Sequence, residues 1–192
     1  MSTTPASTPR LAPIEKPTEE QEELLSKTLT RNGRALRVFR TLAHHPRLLK
    51  RFNAMGGLFM TGELDGRHRE LVILRVAVRT GSDYEFAQHV LLGRKAGLTD
   101  EEIVATGAVD LDGWPEEDRL LLTLADELLD HDQLSQATWT ALEKRFDTQQ
   151  LLELLLLPGF YRMLAGALNS LGVAPEDDLP STPSLANARD GM

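Results

Sequence analysis

The chain has 192 residues, a net charge of −8 and no cysteine. A chain of this length buries a core without covalent staples, and the missing thiols exclude disulfides, thiolate catalysis and Cys-ligated metal centres. The acidic balance argues against non-specific binding to nucleic acid or to an anionic membrane, both of which call for basic surface.

With 35 Leu and 18 Ala against 8 Val and 3 Ile, the composition favours helices over strands. Residues 1–18 carry Pro5, Pro9, Pro13 and Pro17 and read as an extended arm without the apolar core of a signal peptide. The main domain is expected over residues 19–172. It opens with a helix over 19–31, acidic first and basic last as a helix dipole prefers. A second helix, 34–44, places Leu36, Phe39, Leu42 and Ala43 at helical spacing and stops at His45, ahead of Pro46. Residues 47–60 form a helix weakened by Gly56 and Gly57, and residues 62–66 a turn.

Residues 67–80 predict the central helix. Past its first turn it is apolar nearly all round, so it belongs in the core. Gly81 ends it, Ser82 or Asp83 caps the next helix to Ala96, and Gly97 closes that one. Thr99 and Glu102 form a capping box. A loop over 107–114 precedes a helix over 115–131, with Pro115 in its first turn. Ser135 caps 136–146, and 148–171 is one long helix or two, with Pro158 and Gly159 marking a kink or break. No strand-like alternation is found. The most apolar run, Leu151 to Leu157, is far shorter than the roughly 20 residues a bilayer span needs, so no membrane segment and a cytoplasmic location are expected. Residues 173–192, with Pro175, Pro180 and Pro183, read as a tail. Either end could clasp a neighbouring subunit.

The chemistry concentrates around Gly81. Glu70 lies eleven residues before that turn, about 16 Å along the helix, and His89 lies eight after it, about 12 Å along the return path. Their side chains are therefore expected to meet across an antiparallel pair. Ser82, Glu85 and His89 share one stripe of the second helix. Two carboxylates, an imidazole and a hydroxyl beside an apolar helix pair make a proton-transfer set. Blander readings stand next to it. Ser82 and Glu85 also spell a capping box, and a Glu70–His89 pair can be a satisfied core hydrogen bond. A metal site of Glu70, Glu85 and His89 is too generic a ligand set, so neither metal nor cofactor is expected. Tyr84 and Phe86 suit packing or a pocket wall. His44 and His45 fit the capping of carbonyls at a helix end, His68 a solvated first turn, and His131 with Asp132 a helix stop.

The stretch RHRELVILRVAVRTGSDYEFAQHVLLGRKAGLTDEEI, 67–103, resembles the carboxymuconolactone decarboxylase family, which shares its fold with alkylhydroperoxidase D (AhpD). FRTLAHHPRLL, 39–49, and GFYRMLAGALNSLGV, 159–173, extend the resemblance. In the peroxidase branch a Glu is followed by C-x-x-C-x-x-x-H. Glu70 and His89 match the ends of that motif, whereas Ser82 and Glu85 stand where the cysteines would be, so a thiol peroxidase reaction is excluded. The resemblance implies an all-α, AhpD-like bundle of about seven to nine helices, assembled as a homotrimer or homohexamer. It also implies a decarboxylase or isomerase of aromatic-compound catabolism, acting on a small unsaturated lactone carboxylic acid. On that reading His89, Glu70 and Glu85 are catalytic, and Ser82, Tyr84, Arg75 and Phe86 bind substrate, with Arg75 as the carboxylate anchor. The competing class is a non-catalytic ligand-binding or assembly protein that keeps the fold.

Overall fold

A computed structural model of the chain describes residues 8–190; the first seven residues of the expected arm, and the last two of the tail, lie outside that range. Helix α1 (Glu19–Leu25) starts at Thr18, whose side chain forms a capping box with Gln21. It is shorter than the sequence reading. The chain after it turns back as a small antiparallel hairpin, β1 (Thr30–Arg31) with β2 (Arg34–Ala35), in place of the expected helix end. Asn32 and Gly33 both have positive φ, 50° and 75°, which is the backbone a tight hairpin turn demands.

Helix α2 (Arg37–Leu42) leads to α3 (Pro46–Thr61), whose N-cap is His45. The His45 ring accepts a hydrogen bond from the Leu48 amide at 3.3 Å, so it caps an amide at a helix start rather than a carbonyl at a helix end. His44 instead reaches back to the Ala12 carbonyl at 2.9 Å. The arm thus lies against the domain: the Arg10 amide donates to the Leu171 carbonyl and the Ile14 amide to the Arg40 carbonyl.

The core is built on α4 (Gly66–Thr80), where every residue from Glu70 to Val78 is buried. Gly81 closes it with φ 65°, a left-handed cap that favours glycine. The return helix α5 (Asp83–Lys95) packs antiparallel on it. Short α6 (Asp100–Ala105) follows from its Thr99–Glu102 capping box. Helix α7 (Glu116–His131) packs on α4, α8 (Gln136–Leu142) ends earlier than its pattern suggests, and α9 (Thr148–Leu171) lies against both α4 and α7.

Pro158 sits inside α9 without breaking it. Among the described residues α9 is therefore one helix long and apolar enough to cross a bilayer, which the seven-residue reading of Leu151 to Leu157 misses. Its buried face (Leu154, Leu157, Leu164 and Leu168) makes it a strut of the bundle core. The tail also differs from expectation. It folds back on its own chain and ends in α10 (Leu185–Arg189), which packs on α6, α4 and α5. Gly107 admits it: a Cβ there would stand 1.9 Å from the Ala188 carbonyl oxygen. With ten helices among the described residues, the all-α fold slightly exceeds the expected number.

Candidate active site

The α4–α5 hairpin brings Glu70 and His89 together. Glu70 Oε2 is 2.6 Å from His89 Nδ1, and its other oxygen accepts from Arg69 Nε at 3.0 Å. Glu70 is fully buried. Burial opposes its charge, but His89 and Arg69 outweigh that and hold its carboxyl below the usual carboxylate range. An ionised carboxylate only accepts, so His89 carries hydrogen on Nδ1 and presents Nε2. The His89 ring meets Tyr161 of α9 edge-on at 4.9 Å.

His89 lines a half-open cavity of about 420 Å³ between α5, α3, α9 and the β1–β2 hairpin. That is the size and partly apolar character of a small-ligand pocket. Tyr84 and Glu85 line it too, as do Asn53, Tyr161 and Phe160. Glu70 does not; it stands behind the imidazole.

Ser82 and Glu85, paired by the sequence as a capping box, play separate parts. Ser82 is the N-cap of α5: its Oγ accepts from the Glu85 amide at 3.4 Å. The Glu85 carboxyl does not return the bond. It is 2 % exposed, and neither oxygen has a hydrogen-bond partner. Burial pushes its pKa up to about 8, with Ser82 opposing weakly. At neutral pH the cavity wall therefore holds a neutral carboxylic acid, which can donate as well as accept.

Three expected substrate contacts fall elsewhere. Arg75 faces α7 rather than the cavity. It binds both oxygens of Asp126, at 2.8 and 2.6 Å, and the carbonyls of Thr106 and Ala108 at 2.7 and 2.8 Å. Four of its five donors are taken up by the fold and it does not line the cavity, so it does not fit the role of carboxylate anchor. Phe86 points the other way, into the apolar cluster around Leu74, Val78 and Ile103. Ser82 is wholly buried and does not line this cavity. Tyr84 keeps its wall position: its hydroxyl accepts from the Val38 amide and donates to Glu176, both at 3.1 Å, and burial beside Glu176 raises its pKa. His68 is paired with Glu117 at 3.0 Å instead of being solvated. Asp132 does stop α7, with φ 57°.

Two wall residues escaped the sequence reading. Asn53 of α3 leaves its amide oxygen buried and unpartnered. Tyr161 is kept protonated by burial and by the nearby Glu70 and Glu85. A tyrosine inside an otherwise apolar helix is the one signal that pointed to it. Among the described residues, no three metal-ligating side chains converge.

This arrangement defines an all-α, AhpD-like protein with a Glu–His pair at its centre. Solved structures agree on the fold. A peroxidase-related protein from Silicibacter sp. TM1040 superposes with a TM-score of 0.76 at 17% identity, covering 92% of this chain and 96% of that one. A peroxidase-related protein with an AhpD core from Ralstonia eutropha JMP134 gives 0.69 at 19%, covering 90% and 91%. No curated protein matches the sequence. Residues 46–127, which hold Glu70, Glu85 and His89, match the model of the carboxymuconolactone decarboxylase family.

Proposed function

We propose that the protein is an acid–base enzyme of carbon chemistry, acting on a small, unsaturated, largely apolar carboxylic acid such as a lactone acid, by decarboxylation or double-bond isomerisation. The observation that carries this reading is His89, held by ionised Glu70 at 2.6 Å, facing a cavity whose wall also holds the unpartnered acid Glu85. In decarboxylation the bond to the departing CO₂ breaks and its electron pair passes into the conjugated carbonyl. Glu85 donates a hydrogen bond to the developing oxyanion. His89 Nε2 takes a proton from water and delivers it to carbon, and the hydroxide left behind combines with the released CO₂ as bicarbonate. In isomerisation the same nitrogen removes a proton from one carbon and returns it to another. Glu70 acts through His89 as a positioning residue. The apolar walls favour spreading of the charge.

The test is turnover of a panel of unsaturated lactone acids, followed by absorbance and by CO₂ release. His89→Ala should lower kcat by about 10²–10⁴-fold, the usual worth of a general acid–base group; unchanged turnover removes its role. The wild-type rate should fall as pH rises through about 8, where Glu85 ionises, and Glu85→Gln should abolish that fall. Saturable binding with no turnover of any panel member would leave a ligand-binding protein.

Self-association as a trimer or hexamer belongs to the same proposal. Leu152, Leu156 and Met163 leave an apolar strip of α9 exposed. Light scattering at micromolar concentration should give a multiple of the 21.3 kDa chain mass; a monomer would reject it.

A further inference from the structure

The cavity has a direction. Its buried end holds Tyr84, Glu85, His89 and Tyr161, and its outer end holds the exposed Lys27 and Lys95. Between them the wall is mostly apolar, with Leu36, Phe52, Leu92 and Phe160 beside the amide side chains of Asn53 and Gln88.

Charge along it runs against the rest of the molecule. The chain carries 29 acidic and 21 basic residues. Yet the formally charged residues that line the cavity are Lys27, Arg31, Lys95 and the neutral-at-pH-7 Glu85. Lys27 is paired with Glu23 at 2.9 Å and Arg31 with Asp178 at 2.9 Å. Lys95 has no ion-pair partner among the described residues.

Helix α5 sets the scale. Glu85, His89, Leu92 and Lys95 all line the cavity, so one face of this helix carries the floor, the apolar wall and the rim. From His89 to Lys95 is six residues, about 9 Å along the axis. A compact acid that placed its carboxylate beside Lys95 would leave the floor untouched.

The geometry points to an elongated ligand: an apolar carboxylate of medium chain length, its anionic head at Lys95 and its far end, bearing a hydroxyl, carbonyl or double bond, against Glu85 and His89. This deepens the proposed acid–base reading and narrows it to isomerisation, because a carboxylate held at Lys95, about 9 Å from His89 along the axis, is not the group that reacts at the floor; it rests on that reading for the chemistry there.

Isothermal titration of the full chain with butanoate, hexanoate, octanoate and decanoate should show affinity climbing with length. Octylamine should bind at least about fivefold more weakly than octanoate. Lys95→Met should weaken octanoate by about threefold to fivefold, the range for an ion pair open to water, and the loss should shrink in high salt. The variant should leave octanol unaffected. ω-Hydroxyoctanoate should gain over octanoate, and Glu85→Leu should remove that gain. Equal binding of octylamine and octanoate, or no effect of Lys95→Met, overturns the inference. A His89→Gln variant separates the two ideas. It should bind octanoate as the wild type does, so normal binding combined with unchanged turnover would reject the catalytic role and leave the ligand assignment standing.

Discussion

Helix α4 buries two charges five residues apart, and their surroundings give them opposite roles. Arg75 faces α7, where Asp126 and two backbone carbonyls take up its donors. Arg79 adds bonds to Asp126 and Asp130. Four of the five Arg75 donors are taken, and Arg75 does not line the cavity that His89 faces. Glu70 faces α5, where its partner His89 has a second nitrogen directed to open space and Glu85 has two unmet oxygens. A buried charge thus points to chemistry only where the bonding around it is incomplete next to room for a ligand.

The contrast can be broken from either side. Arg75→Met should give the largest stability loss, about 3–5 kcal/mol by denaturant unfolding, because it strands Asp126 and two carbonyls in a buried network; turnover per folded molecule should stay normal. Glu70→Gln should weigh more on catalysis, lowering kcat while costing less stability than Arg75→Met, since the amide fills the same volume and keeps an acceptor for His89 or Arg69. A severe drop in stability with unaltered kcat would make Glu70 a structural twin of Arg75.

Glu85 offers a pH test. Its folded pKa, about 8, lies above its ordinary value of 4.5. The folded state therefore holds a proton that the unfolded chain has lost, and this group makes stability fall as pH rises between those values. Glu85→Gln should raise Tm at pH 8 relative to wild type, and the gain should vanish as pH approaches 4.5. The smallest effect is expected at Ser82. Ser82→Ala should cost about 1 kcal/mol, the worth of an N-cap, with catalysis unaffected; a large kcat loss would put the hydroxyl back in the site.

The Glu70–His89 contact was legible because it depends on local rules. Gly81 marks the turn, and helical rise on either side brings the two residues level. The position of Arg75 was not, because its partner lies 51 residues away and helical phase alone does not say which neighbour covers which face. The hairpin had its own signal in Asn32–Gly33, overlooked because two-residue strands leave no alternation to read. Continuity through Pro158 was hidden for another reason: the packing of α9 against α4 and α7 outweighs the local proline penalty. Ser82 and Glu85 matched a capping box in type and spacing, yet only the serine caps, since sequence cannot show which way a glutamate side chain turns.

The bonds around Glu176 set an order of events. Its carboxylate accepts from the Arg37 amide at 2.7 Å and from the Tyr84 hydroxyl, and it is also bonded to Gln88. Neighbouring Asp178 holds Arg31 and Asn32 of the hairpin. Tyr84, Gln88 and Arg31 are all wall residues, and their fasteners are translated after every one of them. During synthesis the helices that carry the Glu–His pair emerge first, and the chamber around them acquires its finished wall only when residues 176–178 have cleared the ribosome.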